Sequence, residues 1–219
     1  MDHVHPDLTL AILAGGRGRR MGGIAKPLMR LDGRSFLERL LELRSQVGDA
    51  IIVANDPSPY APFDVRVVSD RIADRGAPGG LHAALSTAST GWVLLVAGDM
   101  PFVHAQAIDF LVRHIADDVE WVCFERDGRL EPMPGLYRVG LRDRFELRLA
   151  EGQPSFRAVL EGVPGVRISS RALAEVDPAL RALTGVNTPE EAARIGATRP
   201  PGQESGSEGD QAGLNRAGK

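Results

Sequence analysis

The chain has 219 residues, of which 43% are hydrophobic and 25% are charged, and its formal net charge is −3. This composition is typical of a globular protein, and the small net charge argues against a dedicated nucleic-acid binder, which usually has an excess of basic residues. No run approaches the ~20 consecutive apolar residues of a membrane span, and the first residues lack the basic and apolar regions of a signal peptide. The sequence therefore predicts a soluble, cytoplasmic protein that binds neither nucleic acid nor a membrane.

Strand and helix patterns alternate along the chain. In chain order, strands are predicted at residues 8–13, 50–54, 65–68, 92–97, 119–124, 130–138 and 166–169. Helices are predicted at residues 35–47, 79–88, 103–116, 141–150, 155–160 and 189–195. The first helix opens with the capping-box pattern of Ser35 and Glu38, and Asp127-Gly128 predicts a hairpin turn between two strands.

Near-continuous apolar strands separated by helices predict an α/β fold. We expect a single Rossmann-like domain with a mostly parallel sheet and helices on both faces. In such sheets, ligands bind at the carboxyl ends of the strands. The candidate site therefore lies just after residues 13, 53, 68, 96 and 124.

The composition changes near residue 197. From there to residue 219 the chain is rich in Gly, Pro, Ser, Gln and Glu and has no aromatic residue. Such a segment cannot bury enough apolar surface to offset the entropy of ordering. We predict one domain over residues 1–196 and a disordered tail over residues 197–219. The one cysteine, Cys123, excludes an intramolecular disulfide and a zinc site built on cysteines.

The segment after the first predicted strand, residues 13–28, contains five glycines, three arginines and one lysine. Glycines let the backbone approach a ligand closely, and backbone N–H groups together with Arg and Lys side chains bind polyphosphates. The spacing matches neither GxGxxG nor GxxxxGK[ST], which argues against a Rossmann dinucleotide site and a Walker P-loop. A surface loop with solvated arginines is the alternative interpretation.

Polar side chains follow three of the predicted strands. Asp99 lies directly after the apolar strand at 92–97, and Asn55 and Asp70 end the second and third strands. Mg²⁺ binds proteins through one or two carboxylates together with substrate phosphates, so Asp99 is a candidate metal ligand. The side chains of Asn55 and Asp70 can hydrogen-bond the polar edge of a base or a ribose hydroxyl. Helix capping or turn formation is the alternative for all three.

These motifs resemble the signature of the molybdenum cofactor guanylyltransferases, which belong to the wider class of nucleotide-sugar-type nucleotidyltransferases. The similarity lies in Leu13-Ala14-Gly15-Gly16, in Arg20-Met21-Gly22-Gly23 and in Lys26-Pro27-Leu28, and it extends over roughly residues 8–196. It implies a domain of the GT-A type that transfers GMP from GTP to the terminal phosphate of molybdenum-loaded molybdopterin (Mo-molybdopterin), releasing pyrophosphate. The implied cofactor is Mg²⁺, and the implied partners are GTP, Mo-molybdopterin and other proteins of molybdenum-cofactor biosynthesis.

The resemblance also implies roles for individual residues. The nucleotide would contact Leu13, Ala14, Gly15, Gly16, Lys26, Asn55, Asp70 and Asp99. The phosphates would be held by Lys26 and by Arg17, Arg19 and Arg20. The catalytic set would be Lys26, Asp99 and Arg20, with Asp99 as the metal ligand and Asn187 as a candidate second ligand. Two positions depart from the family pattern: Ala25, where Asp is common, and Gly185, where Asn is common.

Several other residues have weaker signals. Residues 77–81 resemble a turn that presents helix amides to the nucleotide, and residues 131–137 or Arg157 are candidates for contact with the acceptor. His82 and His104 lie on predicted helices without metal-ligand spacing, so we expect structural roles for both.

Alternatives to a guanylyltransferase stay open. A cytidylyltransferase for the same pterin or a sugar-phosphate nucleotidyltransferase would keep the chemistry and change the substrates. Such relatives more often carry Leu-Ala-Ala-Gly, whereas this chain has Gly15 as the third residue, which leaves room for a purine. A nucleotide-binding module without catalysis is supported only by the departures at Ala25 and Gly185.

Overall fold

The structure is a computed structural model that describes residues 4–15, 25–72, 74–152 and 155–200. Strands and helices alternate along these ranges. The strands are β1 (His5–Leu13), β2 (Arg30–Leu31), β3 (Arg34–Ser35), β4 (Val47–Val53), β5 (Arg66–Val68), β6 (Trp92–Ala97), β7 (Trp121–Arg126), β8 (Arg129–Arg138) and β9 (Gly165–Ser169). The helices are α1 (Phe36–Leu41), α2 (Gly76–Leu85), α3 (Ala105–Val112), α4 (Arg142–Ala150), α5 (Phe156–Leu160), α6 (Ser170–Leu173) and α7 (Pro189–Arg194).

Seven of these strands form one sheet in the order β5-β4-β1-β6-β8-β7-β9. Strand β8 is antiparallel to both of its neighbours, and the other adjacent pairs are parallel. The predicted mostly parallel α/β sheet is therefore confirmed. Because β1, β4, β5 and β6 run in the same direction, the loops that follow them meet at one edge, which we call the carboxyl edge.

The sheet is buried on both faces because its apolar side chains alternate in direction. On one face, Leu10, Ile12 and Leu94 pack in a cluster with residues of α1 and α3. On the other face, Val93 and Leu95 pack in a cluster with residues of α2, α4 and α5. Helices therefore cover both faces, as the continuous apolar strands predict.

Helix α1 begins at the predicted capping box. The Ser35 hydroxyl accepts a hydrogen bond from the Glu38 N–H at 3.0 Å, and the Glu38 carboxylate accepts one from the Ser35 N–H at 2.5 Å. The helix is shorter than predicted, because the chain tightens into a 3₁₀ helix from Glu42 to Gln46. The other predicted helices and strands agree with the structure to within a few residues at each end, and β6 has the predicted bounds.

One short hairpin and one short helix have no counterpart in the sequence patterns. Strands β2 and β3 form a small separate hairpin through Asp32 and Gly33, both of which have positive φ. Helix α6 has only four residues. Elements of two to four residues are too short to show a hydrophobic period, so the patterns could not reveal them.

A small apolar cluster, the N–C cluster, joins the segment after Lys26 to the last helix. Its buried members are Met29, Leu31, Phe36, Val186 and Ala192. Ala197 packs against this cluster, and Thr198 exchanges two backbone hydrogen bonds of 2.9 and 2.7 Å with Arg30. Ordered contacts thus continue two residues beyond the predicted boundary at residue 196. Residues 201–219 lie outside the described ranges, so the predicted tail stays a prediction.

Within the described ranges, the helices lack the length and apolar character that crossing a bilayer requires.

Candidate active site

Lys26, Asp99 and Asn187 meet at the carboxyl edge of the sheet. The Lys26 ammonium donates to Asp99 Oδ2 at 3.0 Å and to Asn187 Oδ1 at 2.8 Å. The side chains of Lys26 and Asp99 are 22% and 20% exposed, so the pair is accessible to a ligand without being fully solvated. The structure therefore brings together a cation, a carboxylate and an amide that are far apart in the sequence.

Asp99 reaches this position because the end of β6 lies close to the end of β1. The N–H of Gly98 donates to Leu13 O at 2.9 Å. A Cβ at Gly98 would lie 2.5 Å from Pro27 Cγ and 3.0 Å from Leu13 O, so this position requires glycine. The absence of a side chain at residue 98 lets Asp99 lie beside the segment that carries Lys26.

Lys26 is positioned by the 3₁₀ turn Lys26–Leu28, in which Pro27 is buried. The residue before it, Ala25, makes no side-chain cap to this turn. In place of an acidic neighbour at residue 25, the Lys26 ammonium has the carboxylate of Asp99 as its partner. Lys26 therefore has an acidic contact even though residue 25 is Ala and not Asp.

Lysine usage is a further sequence signal that the motif analysis misses. Of the 26 basic residues, only Lys26 and Lys219 are lysines. Arginine presents a planar fork of donors, whereas lysine presents a compact charge with three donors. Among the described residues, Asp99 and Asn187 account for two of the three donors of Lys26. A lysine in a chain that otherwise uses arginine is consistent with a function that needs the compact charge.

The residues around Asp99 fit a metal that arrives together with a polyphosphate. No group of three or more His, Cys, Asp or Glu side chains suited to a metal occurs in residues 4–15, 25–72, 74–152 or 155–200. The Asp99 carboxylate and the Asn187 amide oxygen lie close together, because both accept hydrogen bonds from the Lys26 ammonium. Mg²⁺ commonly binds through one or two carboxylates plus substrate phosphates, so this donor set suits Mg²⁺.

Gly185, the second departure from the family pattern, lies against this donor set. A Cβ there would lie 3.5 Å from Asp99 Oδ1 and 3.2 Å from Asn187 Nδ2. Glycine therefore keeps the space beside the Asp99 carboxylate open.

Asn55 and Asp70 form a second polar pair at the carboxyl edge. Asn55 Nδ2 donates to Asp70 Oδ2 at 3.1 Å, and the Asp70 N–H donates to Asn55 Oδ1 at 2.9 Å. Partial burial raises the pKa of the Asp70 carboxyl above its ordinary value, and the hydrogen bond from Asn55 opposes this shift. The pair holds a carboxylate in a fixed orientation and leaves Asp70 Oδ1 for a ligand.

The backbone of residues 13–15 is used mainly within the protein. The N–H groups of Ala14 and Gly15 both donate to Val53 O, at 2.9 and 3.1 Å, and the Tyr60 hydroxyl donates to Ala14 O at 2.8 Å. A Cβ at Gly15 would lie no closer than 3.8 Å to another atom, at Val53 O. Gly15 is therefore exposed, and the described residues leave room for a small side chain there, while the amide groups of this turn tie β1 to β4.

The predicted phosphate-binding loop lies largely outside the described residues. Gly16, Arg17, Arg19 and Arg20 all fall in the range 16–24. Their contacts with phosphates, and the catalytic role of Arg20, stay predictions.

The weaker candidates have structural contacts. Residues 77–81 form the first half of α2, where Gly80 packs on Leu13. His82 is 3% exposed in α2, and burial lowers its pKa. His104 caps α3 through Nδ1, which accepts from the Ala107 N–H at 3.4 Å.

The two candidates for acceptor contact lie in β8 and in α5. Glu131, in β8, forms an ion pair with Arg126 at 2.8 Å. Tyr137, at the other end of the same motif, is fully buried. Arg157 is exposed in the first turn of α5. Glu131 and Arg157 are therefore accessible, and Tyr137 is part of the core.

The chain is similar to known proteins in both sequence and structure. The chain matches the family model described as "MobA-like NTP transferase domain" over residues 10–182. It is 32% identical over 185 residues to the molybdenum cofactor guanylyltransferase of Desulfosudis oleivorans, covering 84% of this chain and 92% of that protein. It is 35% identical over 163 residues to the molybdenum cofactor guanylyltransferase of Nitrobacter hamburgensis, covering 70% and 77%. Among solved structures, molybdopterin-guanine dinucleotide biosynthesis protein A from Archaeoglobus fulgidus superposes with a TM-score of 0.73 at 25% identity, covering 85% of this chain and 96% of that one.

Proposed function

Since the chain belongs to the family of MobA-like NTP transferase domains, we propose that it transfers GMP from GTP to the terminal phosphate of Mo-molybdopterin, with release of pyrophosphate. The observation that carries this proposal is the meeting of Lys26, Asp99 and Asn187 at the carboxyl edge. A cation beside a carboxylate suits a polyphosphate substrate that binds with a divalent metal. The choice of the guanylyl donor and the molybdenum-cofactor acceptor follows the names of the curated relatives, which are molybdenum cofactor guanylyltransferases.

Guanine recognition is assigned to Asn55 and Asp70. A guanine edge presents N–H donors, and Asp70 Oδ1 is an acceptor held in place by the two hydrogen bonds with Asn55. The absence of a side chain at Gly15 supports the choice of a purine, because the packing of the described residues does not itself require glycine at that position. The two features together favour GTP over a pyrimidine nucleotide.

The transfer step needs no nucleophilic side chain, because the attacking phosphate is already anionic. An oxygen of the acceptor phosphate forms a bond to the α-phosphorus of GTP. The bond from that phosphorus to the oxygen bridging to the β-phosphate breaks, and pyrophosphate leaves with the electron pair. Catalysis then consists of positioning and charge neutralisation. Lys26 supplies positive charge through its third donor while Asp99 and Asn187 hold its ammonium in place.

Mg²⁺ is the metal that we propose for this site. Asp99 would hold it through Oδ1, which lies next to the space that Gly185 leaves open, whereas Asp99 Oδ2 and Asn187 Oδ1 accept from Lys26. When bound, the ion neutralises phosphate charge.

An irregular stretch of β8 supports a location for the acceptor. Strand β6 pairs with β8 only as far as Leu95 and Gly135, so the last residues of β6 before Asp99 lie beyond this pairing. Strand β8 also changes register with β7 between Glu131 and Gly135. The irregular stretch of β8 thus lies beside the end of β6 that leads to Asp99, on the side away from Asn55 and Asp70, and we assign the acceptor to this side.

The proposal is tested by measuring pyrophosphate release with Mo-molybdopterin and Mg²⁺ in parallel reactions with GTP, CTP, ATP and UTP. Release with GTP alone is the expected result. Release with CTP would keep the mechanism and assign the cytidylyl reaction. Silence with all four nucleotides, despite GTP binding, would contradict the proposal and favour a sugar-phosphate acceptor or a non-catalytic module.

Two substitutions test the assignment of the site. Lys26→Ala is expected to lower kcat by about 10²–10³-fold, the usual effect of removing a preorganised charge, and to raise the KM for GTP. Asp99→Ala is expected to abolish transfer. Arg66→Ala is the control, because it breaks a solvent-accessible ion pair with Asp49 in the first half of β4, toward the opposite edge of the sheet. Near-normal turnover by either site variant would contradict the assignment.

A further inference from the structure

The position of Asn187 is fixed by the helix that follows it. The Asn187 N–H donates to Glu191 Oε2 at 2.6 Å, and the Thr188 N–H donates to the same oxygen at 3.2 Å. The Thr188 hydroxyl accepts from the Glu191 N–H at 3.2 Å, which completes a capping box at the start of α7. The Glu191 carboxylate thus fixes the cap residue and also the residue before it.

The residue on the other side of Asn187 is anchored as well. Val186 is 1% exposed in the N–C cluster, and its N–H donates to Asp99 O at 2.8 Å. Asn187 itself is exposed, so core packing does not orient its side chain. Its orientation toward Lys26 therefore depends on the backbone, which Val186 holds on one side and Glu191 on the other.

The other capping box of the protein shows what capping alone requires. At α1, the Glu38 carboxylate accepts from the N–H of Ser35, the cap residue. At α7, Glu191 makes the equivalent bond to Thr188 and a shorter one to Asn187. The bond to Asn187 is therefore additional to helix capping, and it leads directly to a residue that contacts Lys26.

We propose that Glu191 is a positioning residue of the active site, acting through Asn187 to hold the Lys26 ammonium beside Asp99. A continuous series of hydrogen bonds supports this: Glu191 to the Asn187 backbone at 2.6 Å, and the Asn187 side chain to Lys26 at 2.8 Å. Glu191 itself does not contact Lys26. The effect on transfer rests on the proposed function, whereas the hold on Lys26 can be tested without any substrate.

The first experiment observes Lys26 directly by NMR. Because the chain has only two lysines, ¹³C-lysine labelling gives two sets of ε-methylene signals, which Lys219→Arg assigns. In the wild type, we expect the two ε protons of Lys26 to be inequivalent, because its ammonium is held. Glu191→Ala should move these signals toward those of a free lysine. Glu191→Gln should preserve them, since a capping box accepts Gln as well as Glu.

The matched control is Glu38→Ala, which removes the equivalent carboxylate from the other capping box. It should lower thermal stability and leave the Lys26 signals unchanged. Unchanged Lys26 signals in Glu191→Ala, or equal changes in the two alanine variants, would overturn the proposal. Thr188→Ala provides a further check, because it removes one cap bond and keeps the carboxylate that holds Asn187.

The second experiment measures kcat and KM for pyrophosphate release. Glu191→Ala should lower kcat by about 10- to 100-fold, because misplacing a catalytic group by about 1 Å costs up to about 10²-fold. The KM for GTP should change less than in Lys26→Ala, since the charge is kept. Glu191→Gln should recover most of the lost rate. A rate loss in Glu38→Ala equal to that in Glu191→Ala would overturn the proposal.

The two experiments fail separately. If the wild type releases no pyrophosphate with any nucleotide, the proposed function is wrong, and the NMR result still decides whether Glu191 holds Lys26. If the wild type is active and the Lys26 signals do not respond to Glu191→Ala, the positioning role is wrong and the proposed function stands.

Discussion

Individual polar residues at the carboxyl edge are oriented by neighbours that are distant in the sequence. Lys26 contacts a carboxylate 73 positions away and an amide 161 positions away. Each of these partners is in turn held by a backbone hydrogen bond. Such support from surrounding residues is what holds a catalytic group to within fractions of an ångström.

Asp70 illustrates the energetic cost of a partly buried carboxylate. Burial raises its pKa, so the folded state binds this proton more tightly than the unfolded state. The stability that Asp70 contributes is therefore present at low pH and is lost as pH rises from the unfolded pKa through the folded pKa. At neutral pH, the ionised carboxylate opposes folding.

We therefore expect Asp70→Asn to retain or increase the free energy of unfolding at pH 7, with a change within about 0.5 kcal/mol. Asn55 can still donate to the new amide oxygen. The preference for GTP over ATP in kcat/KM should fall about 10- to 100-fold, because a hydrogen bond to a charged group contributes about 1.5–3 kcal/mol. Urea unfolding and nucleotide kinetics measure the two effects.

Asp56→Asn is the control, with the opposite pH dependence. The N–H of Ser58 hydrogen-bonds Asp56 and lowers the pKa of its carboxyl, so Asp56 contributes stability above its unfolded pKa. Relative to the wild type, Asp70→Asn should be most stable at pH 7, and Asp56→Asn should be most stable at pH 4. The same pH trend in both variants would contradict the assigned shift of Asp70.

At the scale of the elements, the site depends on how closely the ends of β1 and β6 approach. Gly98 permits this approach, since a side chain there would collide with Pro27 and with the backbone of Leu13. At Gly15, just after β1, a Cβ would make only ordinary contacts with the described residues, the nearest at 3.8 Å. The two glycines are therefore required for different reasons: one for packing between elements and the other for room in the site.

Alanine substitutions separate these two reasons. Gly98→Ala should lower the free energy of unfolding by about 1–3 kcal/mol, the usual cost of overpacking, and should reduce transfer. Gly15→Ala should fold with nearly unchanged stability and should lower kcat/KM for GTP relative to CTP. Thermal unfolding and kinetics with both nucleotides test this pair. Equal destabilisation by the two substitutions, or an unchanged nucleotide preference in Gly15→Ala, would contradict the interpretation.

At the scale of the whole molecule, the last described residues close on the segment that carries Lys26. The N–C cluster joins residues 29–36 to residues 186–192, and the pairing of Arg30 with Thr198 extends this contact. Both Lys26 and Asn187 are adjacent to this cluster in the sequence. The C-terminal segment therefore supports both Lys26, because it packs against the residues that follow it, and Asn187, which it contains.

Shortened chains test this role. A chain ending at residue 200 keeps the pairing with Arg30 and should unfold like the full chain. A chain ending at residue 196 loses three backbone hydrogen bonds, two between Arg30 and Thr198 and one from the Ala197 N–H to Ala192 O, and its free energy of unfolding should fall by about 1–3 kcal/mol. Urea unfolding compares the two with the full chain. Equal stability of both shortened chains would show that the pairing contributes nothing.

Local patterns in the sequence determined the strands, most helices, the capping box at Ser35 and the edge of the sheet that carries the site. Apolar periodicity and turn residues act within a few positions, so they are visible in one stretch of sequence. The segments around Lys26 and Asp99 were identified in the same way, because each motif is continuous. The family that these motifs indicated is confirmed.

Only the tertiary structure decided which of these residues meet. The strand order depends on pairings between segments that are distant in the sequence. The same is true of three sets of hydrogen bonds: Lys26 with Asn187, Asn55 with Asp70, and the Ala14 and Gly15 amides with Val53. Periodicity carries no information about pairings between distant segments. These pairings are set by how strands and helices pack around a shared core, and that packing places the charge of Lys26 beside Asp99 and Asn187.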